Sequence, residues 1–290
     1  MICGSIRPVK FSGKLVAGVL ALCAPFAFAA DVVDRSGGPY VPTPPAVVEA
    51  MLNLAGVGPG DFVVDLGSGD GRIVLTAATR FKAGGMGVDI DQELVDAANA
   101  SAQKQGVASR VKFLRQDVRA ADLSQATVVT LYLLPGMMTN LRNKVLAELK
   151  PGSRVVSHDF LFDLWKPDRS ITVETREKYD ITGIWTSDVH LWIVPAPVEG
   201  VWRGKWSGGK GDEFRLDIRQ GHQSFEGRLA HGGRTFGVKD GQIDGPRLTF
   251  TVPDENGRRA HYSATVGGGR MSGEVRDGET VIARWNATRE

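Results

Sequence analysis

The first two thirds of the chain alternate short apolar runs with segments of helical periodicity. The apolar runs have the length of buried strands and are Phe62–Val64, Met86–Ile90, Val111–Leu114, Thr127–Leu134 and Arg154–Ser157. Between them, apolar residues recur every three or four positions and predict helices from Arg72 to Phe81, from Gln92 to Gln105 and from Met138 to Leu149. Strands that alternate with helices are typical of an α/β fold with a mostly parallel sheet.

Two further runs complete the predicted sheet. Ile171–Thr175 and Val189–Val194 read as a closing antiparallel pair, and Ile181–Trp185 is assigned to one of these strands.

The segment before the first strand is polar and rich in proline, and we expect it to be extended. It leads into a helix whose apolar face runs from Val47 to Ala55. Thr43 is the expected N-cap, with Pro44 and Pro45 in the first turn. The helix is predicted to cover an edge of the sheet, and Tyr40–Thr43 could in addition fold over a bound ligand.

The pattern changes after Pro195-Ala196-Pro197. Residues 198–290 hold 18 of the 36 glycines and show no sustained helical period. About eight short alternating strands, with turns such as Lys210–Asp212 between them, predict a small antiparallel barrel or sandwich. The clearest of these strands are Phe214–Ile218, Phe225–Leu229, Leu248–Val252, Tyr262–Val266, Met271–Val275 and Val281–Trp285. Trp202, Trp206 and Trp285 either fill the core of this unit or line a ligand cavity.

The amino terminus has the pattern of a secretory signal peptide. Arg7, Lys10 and Lys14 precede an apolar run from Leu15 to Ala30, and Ala27-Phe28-Ala29 offers a cleavage site after residue 29. We therefore expect a signal peptide (1–29) and a periplasmic or secreted protein; the alternative is an uncleaved anchor in the inner membrane. The expected domains are then residues 30–197 and residues 198–290.

Removal of residues 1–29 changes the charge and the cysteine content. The remaining chain carries 32 basic and 33 acidic side chains, and no basic patch points to nucleic acid as a partner. Both cysteines, Cys3 and Cys23, lie in the removed segment, which excludes disulfides and a cysteine nucleophile. The five histidines lack the spacing of metal ligands, so no metal site is predicted.

The strongest motif follows the first strand. Asp65 is followed by glycines at 67, 69 and 71 and by the predicted helix from Arg72, an order typical of the front half of a nucleotide-binding βαβ unit. Arg72 stands where a dinucleotide fingerprint requires its last glycine. An acid at position 65 repels a pyrophosphate and suits a cationic amino-acid group.

This stretch, Asp65-Leu66-Gly67-Ser68-Gly69-Asp70-Gly71-Arg72, resembles motif I of the class I S-adenosylmethionine (SAM) methyltransferases. Residues 40–194 look most like the ATP-synthase c-subunit-type lysine methyltransferases and their bacterial relatives. The similarity includes Tyr40–Thr43 ahead of a Val-Glu helix, Leu134-Pro135 after a strand, and Arg154–Val156. The resemblance implies a Rossmann-like seven-stranded sheet, SAM as methyl donor, and a protein lysine or a small molecule as acceptor. It does not cover the C-terminal β-domain.

Three groups of residues are expected to hold SAM. Asp65, Gly67, Ser68, Gly69 and Gly71 form the first, at the glycine-rich turn. In the second, Asp89 ends the second strand, where an acid binds both ribose hydroxyls, and Ile90 follows it, while Asp91 is the expected cap of the next helix. Asp117 and Val118 follow the third strand, where the resemblance implies an adenine contact; Asp117 could equally be a turn residue.

The candidate catalytic residues are Tyr132, His158 and Asp159, which follow or end the two central strands across the sheet from the glycines. Tyr132 either shapes the methyl channel or packs, His158 either acts in catalysis or packs, and Asp159 either binds an amine or caps a turn. Alignment of donor and acceptor is the main demand of methyl transfer, so no catalytic triad is needed.

We therefore expect a monomeric SAM-dependent methyltransferase. The alternative is an exported binding protein that keeps the fold without turnover. In both, the β-domain could capture an envelope partner or a ligand.

Overall fold

The structure, a computed structural model, describes residue 38 and residues 40–207, 213–253 and 257–290, without the side chains of residues 180–182. The expected signal peptide and the predicted turn at Lys210–Asp212 lie outside the described residues.

The first part of the chain forms a seven-stranded sheet in the order β3-β2-β1-β4-β5-β7-β6. Its strands are β1 (Phe62–Leu66), β2 (Gly84–Asp89), β3 (Val111–Arg115), β4 (Val128–Leu131), β5 (Arg154–His158), β6 (Arg169–Glu174) and β7 (Thr186–Ile193). The first five are parallel, and β7 pairs antiparallel with both β5 and β6. The predicted mostly parallel sheet with a closing antiparallel pair is confirmed.

Five α-helices accompany this sheet among the described residues. They are α1 (Pro45–Leu54), α2 (Arg72–Arg80), α3 (Gln92–Lys104), α4 (Pro135–Glu148) and α5 (Arg176–Thr182). The side chain of Asp91 accepts a hydrogen bond from the Glu93 N–H, which confirms the predicted cap of α3.

Three local predictions are wrong. Strand β4 ends at Leu131, three residues early, because Pro135 begins α4 and Tyr132–Leu134 form the loop between them. Ile181–Trp185 is not a strand: its first two residues end α5, and Gly183 closes that helix in the left-handed conformation. Thr43 does not cap α1, whose N-cap is Pro44; its hydroxyl lies near His158 instead.

Two apolar layers hold the sheet between its helices. Consecutive side chains of a strand point to opposite faces, so Val63 and Val64 of β1 join different clusters. Val63 packs with Val47 and Met51 of α1, whereas Val64 packs in the cluster that holds Met138 and Leu141 of α4. Both valines are fully buried, and burial of such a side chain stabilises by roughly 1.5–3 kcal/mol.

The C-terminal region is a closed antiparallel barrel in the order β10-β11-β12-β13-β14-β15-β8-β9. Its strands are β8 (Gly200–Trp206), β9 (Glu213–Gly221), β10 (Ser224–His231), β11 (Arg234–Asp244), β12 (Arg247–Pro253), β13 (Arg259–Gly267), β14 (Arg270–Asp277) and β15 (Thr280–Arg289). Trp202 and Trp285 are buried in its core, and Trp206 packs against that core. Of the two alternatives for these tryptophans, the structure therefore shows core packing.

The barrel contacts the sheet at the amino end of β5. The Ala196 N–H donates to the Gly245 carbonyl at 2.8 Å, and a Cβ on Gly245 would lie 2.9 Å from Cα of Gly152, which precedes β5. Ligands of open α/β sheets bind at the opposite, carboxyl ends of the strands. The barrel therefore lies away from the candidate site.

None of the helices among the described residues has the length and apolar character that crossing a membrane requires.

Candidate active site

The glycine-rich turn after β1 is the first component of the site. Gly67, Gly69 and Gly71 all have positive φ angles, 82°, 52° and 80°, a conformation that side chains other than glycine's rarely adopt. The turn is fixed to β2, because the N–H groups of Gly67 and Ser68 both donate to the Val88 carbonyl at 2.9 Å. The motif thus folds into a rigid cradle at the carboxyl end of β1.

The cradle has close walls. A Cβ on Gly69 would lie 2.4 Å from Cε2 of Tyr40, and one on Gly67 would lie 2.8 Å from Cδ2 of Leu133. Any side chain at either position would displace a wall of the cleft.

The segment Tyr40–Thr43 is tied to this cradle by Arg72. The guanidinium donates through Nη1 to the Thr43 carbonyl at 2.9 Å and through Nε and Nη2 to Asp70 at 2.9 and 2.7 Å. Tyr40–Thr43 thus lines the cleft. This placement agrees with the role in which Tyr40–Thr43 folds over a bound ligand.

The resulting cleft has a volume of about 220 Å³ and brings together most of the residues expected from the sequence. Its lining includes Asp65, Gly67, Ser68, Gly69, Asp89, Ile90, Asp117, Val118 and Tyr132. Three expected residues are absent from the lining among the described residues: Gly71, His158 and Asp159.

Gly71 is required for packing next to the cleft. It is the N-cap residue of α2, and a Cβ there would lie 2.6 Å from Cζ of Phe113 and 2.9 Å from Cβ of Ala98. The absence of a side chain at this position lets α2 and α3 approach β3.

Among the described residues, the charged side chains that line the cleft lie in the half formed by the ends of β1, β2 and β3. Asp65 is buried and accepts a hydrogen bond from the Thr130 hydroxyl at 2.6 Å. Burial raises the pKa of Asp65 to about 7, and the carboxylates of Asp89 and Asp70 add to this rise although the Thr130 bond opposes it. A cationic group bound beside these three acids would relieve their mutual repulsion.

Asp89 connects the glycine turn to the end of β2. Its Oδ2 accepts from the Gly69 N–H at 2.8 Å and its Oδ1 from the Asp91 N–H at 3.0 Å. Each carboxylate oxygen has a second lone pair. Asp89 is therefore able to accept two further hydrogen bonds, the number that a ribose diol offers.

Asp117 is a turn residue, as one of its two predicted roles requires, and its place in the cleft leaves the predicted adenine contact open. It accepts a hydrogen bond from the Arg119 N–H at 2.8 Å and so caps the 3₁₀ turn Val118–Ala120, and it also lines the cleft. The hydrogen bond from the Arg119 side chain lowers the pKa of Asp117. The residue is ionised at neutral pH.

The half of the cleft formed by the loops after β4 and β5 is apolar and aromatic. Its described lining residues carry no charged side chain and are Tyr132, Leu133, Leu134, Met137 and Phe160. The rings of Tyr132 and Phe160 stack with centroids 6.0 Å apart. The Tyr132 hydroxyl is the one side-chain hydrogen-bonding group in this set.

His158 lies behind Tyr132. Its ring is 1% exposed and packs on the Tyr132 ring at a centroid distance of 3.9 Å. The Thr43 hydroxyl lies 3.2 Å from Nδ1 and the Ser187 hydroxyl 2.8 Å from Nε2. Burial lowers the pKa of His158 to about 4. His158 is therefore a neutral packing residue that joins the Thr43 segment to β7.

Asp159 is also one layer behind the cleft, where it forms an ion pair. Both of its oxygens accept from Nζ of Lys178, at 2.8 and 2.7 Å, and the Tyr132 hydroxyl lies 3.5 Å from Oδ2. Lys178 is 6% exposed and donates in addition to the Thr186 carbonyl. The sequence reasoning did not find Lys178, because the strand assigned to Ile181–Trp185 concealed helix α5.

The cleft fits the SAM expected from the sequence. Glycines at 67 and 69 leave room where any Cβ would collide, acids stand where a ribose diol and an ammonium group need acceptors, and the buried Ser68 hydroxyl has no hydrogen-bond partner of its own among the described residues. Asp65 and the glycine turn would hold the amino-acid end, Asp89 the ribose, and Asp117 and Val118 the adenine.

Several known methyltransferases are similar to this chain. Residues 65–169 match the family model of the ANTKMT methyltransferase domain. The chain is 46% identical over 137 residues to a protein-lysine N-methyltransferase of Saccharolobus islandicus, covering 47% of this chain and 85% of that protein. It is 33% identical over 181 residues to the ATP synthase c-subunit lysine N-methyltransferase of Xenopus laevis, covering 61% of this chain and 77% of that one. The family resemblance is confirmed.

A solved structure also resembles this chain. It is an RNA methyltransferase from Salinibacter ruber in complex with S-adenosyl-L-homocysteine, at 46% identity and a TM-score of 0.49, covering 55% of this chain and 96% of that one.

Proposed function

The chain belongs to the family of SAM-dependent protein-lysine methyltransferases, and we propose that it transfers the methyl group of SAM to the ε-amine of lysine residues in proteins. Within this family the chain is an enzyme and SAM is its methyl donor. The acceptor is the proposed part.

The apolar half of the cleft carries this proposal. A lysine side chain is a four-carbon apolar stem that ends in an amine, and Phe160, Leu133 and Met137 provide an apolar surface for such a stem. With no carboxylate among the described lining residues of this half, the surroundings favour the neutral amine over the ammonium ion. The neutral amine is the nucleophile that methyl transfer requires.

When bound, SAM would supply a methyl group on a positively charged sulfur; attack by the amine lone pair would form the N–C bond while the C–S bond breaks and its electron pair stays on sulfur. The methylated nitrogen then carries the positive charge and loses a proton to solvent. The protein's contribution is alignment, because the glycine cradle and the apolar half face each other across the sheet.

Transfer of labelled methyl groups tests the acceptor class. Purified protein is incubated with SAM carrying a labelled methyl group and with, separately, a protein fraction, an RNA fraction and free lysine. The proposal predicts label in protein and little in the other two. Label chiefly in RNA or in free lysine would contradict it.

We further propose that the signal-like segment 1–29 directs the protein to the periplasm, as the sequence pattern suggests. Cell fractionation of the full chain and of a chain without residues 1–29 tests this. Release of the full chain into the periplasm supports the proposal, and its retention in the inner membrane supports the anchored alternative. Equal recovery of the two chains from the cytosol would contradict export and anchoring alike.

The barrel is proposed to bind an envelope partner by its outer surface. Its interior is filled by side chains such as Trp202, Phe250 and Trp285, whereas Arg203, Lys205 and Arg215 line a concave outer surface. Charge reversal at Lys205 should weaken association with an envelope fraction and leave transfer to a soluble acceptor unchanged. We also propose a monomer, which light scattering of the purified protein tests.

A further inference from the structure

Asp159 is held in place more firmly than a surface turn requires. Its φ angle is +61°, a strained value for a residue with a side chain. The Asp159 N–H donates to the Asp188 carbonyl at 2.7 Å, and the Asp188 N–H returns a bond to Oδ1 of Asp159 at 3.1 Å. With both oxygens also bound to Lys178, the carboxylate has one orientation, in which Oδ2 faces the Tyr132 hydroxyl.

The Lys178 ammonium is likewise held by several acceptors. It donates to both Asp159 oxygens and to the Thr186 carbonyl, the last at 2.7 Å. These bonds keep the ammonium beside Asp159, where it holds the carboxylate in place and balances its negative charge.

The direction of the Tyr132 proton matters for methyl transfer. A phenol hydroxyl has one proton and two lone pairs, and it rotates to suit its surroundings. If the proton pointed into the cleft, it would bond the lone pair of an acceptor amine and weaken the nucleophile. If the proton points to Asp159, a phenol lone pair faces the cleft and can accept an N–H of that amine.

We propose that Asp159, held by Lys178, fixes the Tyr132 hydroxyl as a donor to Oδ2, so that Tyr132 accepts an N–H of the acceptor amine and turns its lone pair toward the methyl donor. This inference rests on the proposed lysine acceptor. Tyr132 is then a catalytic residue, and Asp159 and Lys178 are positioning residues. The Tyr132 hydroxyl and Oδ2 are 3.5 Å apart, which is long for such a bond. The proposal requires this contact to shorten when substrate binds, as catalytic hydrogen bonds of free enzymes often do.

The arrangement acts differently on successive methyl transfers. A neutral primary amine has two N–H groups, a monomethyl amine has one and a dimethyl amine has none. The contact with Tyr132 is therefore available in the first and second transfers and absent in the third.

The experiment compares Asp159→Asn, Tyr132→Phe and the double variant on one lysine peptide supplied in its unmethylated, monomethyl and dimethyl forms. In Asp159→Asn, the Asp188 N–H favours the amide oxygen at the Oδ1 position, where Lys178 also donates. The amide nitrogen then takes the Oδ2 position, where it loses the second Lys178 bond, faces Tyr132 as a donor and turns the phenol proton into the cleft. We expect kcat for the unmethylated peptide to fall by about tenfold in each single variant, the size of one lost hydrogen bond, with KM for SAM unchanged. The double variant should be no slower than Tyr132→Phe.

Asp163→Asn serves as the matched control. Asp163 is exposed in the same loop, four residues from Asp159, and should keep wild-type rates. In Tyr132→Phe, the rate of methyl transfer to the dimethyl peptide should change less than twofold. The ratio of the first-transfer rate to the third-transfer rate should therefore fall.

Two results would overturn the inference. One is an equal loss from Asp159→Asn with and without the Tyr132 hydroxyl, because Asp159 would then act independently of Tyr132. The other is equal slowing of all three transfers in Tyr132→Phe. If the wild-type protein bound SAM but methylated no lysine peptide, the proposed acceptor would be wrong instead.

Discussion

Replacement of Asp65 by asparagine should stabilise the free protein and weaken its binding of SAM. The Asp65 carboxyl is 2% exposed, and its pKa is about 7 against an ordinary 3.8. Between these values the folded state holds a proton that the unfolded state has lost, so the contribution of Asp65 to stability falls as pH rises from about 4 to about 7. A difference of about three pKa units corresponds to a loss of at most about 4 kcal/mol in the free energy of unfolding.

Asparagine resembles the protonated acid, since its oxygen still accepts the Thr130 hydroxyl. We therefore expect the Asp65→Asn variant and the wild type to be equally stable near pH 4. As pH rises, the free energy of unfolding of the variant should exceed that of the wild type, by up to about 4 kcal/mol at pH values above 7. Denaturant unfolding at a series of pH values measures this difference.

The affinity for SAM should be lower in the Asp65→Asn variant, although its stability is higher. A cationic group beside Asp65 favours its ionised form, so wild-type affinity should rise with pH up to about 7 and then level off. Loss of one charged hydrogen bond costs about 1.5–3 kcal/mol, a loss of at least tenfold in affinity at pH 8. Calorimetric titration with SAM measures it.

Asp61→Asn is the control for stability. The hydrogen bond of Arg154 helps to hold the pKa of Asp61 below its usual value against the opposing effect of burial, so its replacement should destabilise the protein at neutral pH. A less stable Asp65→Asn variant at pH 8, or one with unaltered SAM affinity, would refute the reasoning.

Further variants test the cradle, the barrel and the buried histidine. Gly69→Ala should push Tyr40 aside and lower SAM affinity at least tenfold by calorimetry, whereas Gly56→Ala, whose Cβ would meet nothing within 4 Å, should cost only about 1 kcal/mol of backbone strain and leave affinity unchanged. Trp202→Ala should destabilise the barrel by about 3–5 kcal/mol in denaturant unfolding, with SAM affinity of the folded protein retained. Because the His158 pKa is lowered to about 4, its contribution to stability should be lost as pH falls from about 6.5 to about 4, and His158→Gln should lessen that loss in unfolding at pH 5. An unchanged pH dependence in this variant would contradict the assignment.

The sequence predicted the parts of the fold that depend on periodicity and on glycine. The buried runs before Asp65 and Asp89 could be assigned because a parallel strand covered on both faces is apolar throughout. The turn from Gly67 to Gly71 could be assigned because its conformation excludes most other residues. These features are local, so one sequence is enough to find them.

Apart from the early end of β4, which Pro135 determines locally, the errors involve contacts between distant segments. Nothing near Thr43 in the sequence indicates that its hydroxyl lies against His158, 115 positions away, rather than capping α1. Asp159 was recognised as polar next to the site, but its partner Lys178 lies on helix α5, whose last two residues were assigned to the strand Ile181–Trp185 because that segment is rich in β-branched and aromatic residues. Tertiary packing overrode local preference in both cases.

The acceptor is the central claim, and the most direct measurement is the identity of the methylated amino acid. Proteins labelled by the purified enzyme and SAM are digested and the modified residue is assigned by mass spectrometry, with Asp65→Asn as the background control. We expect methyl groups on the ε-nitrogen of lysine, and far fewer of them with the variant. Methyl groups on another residue type, or on no protein residue while SAM is bound, would contradict it.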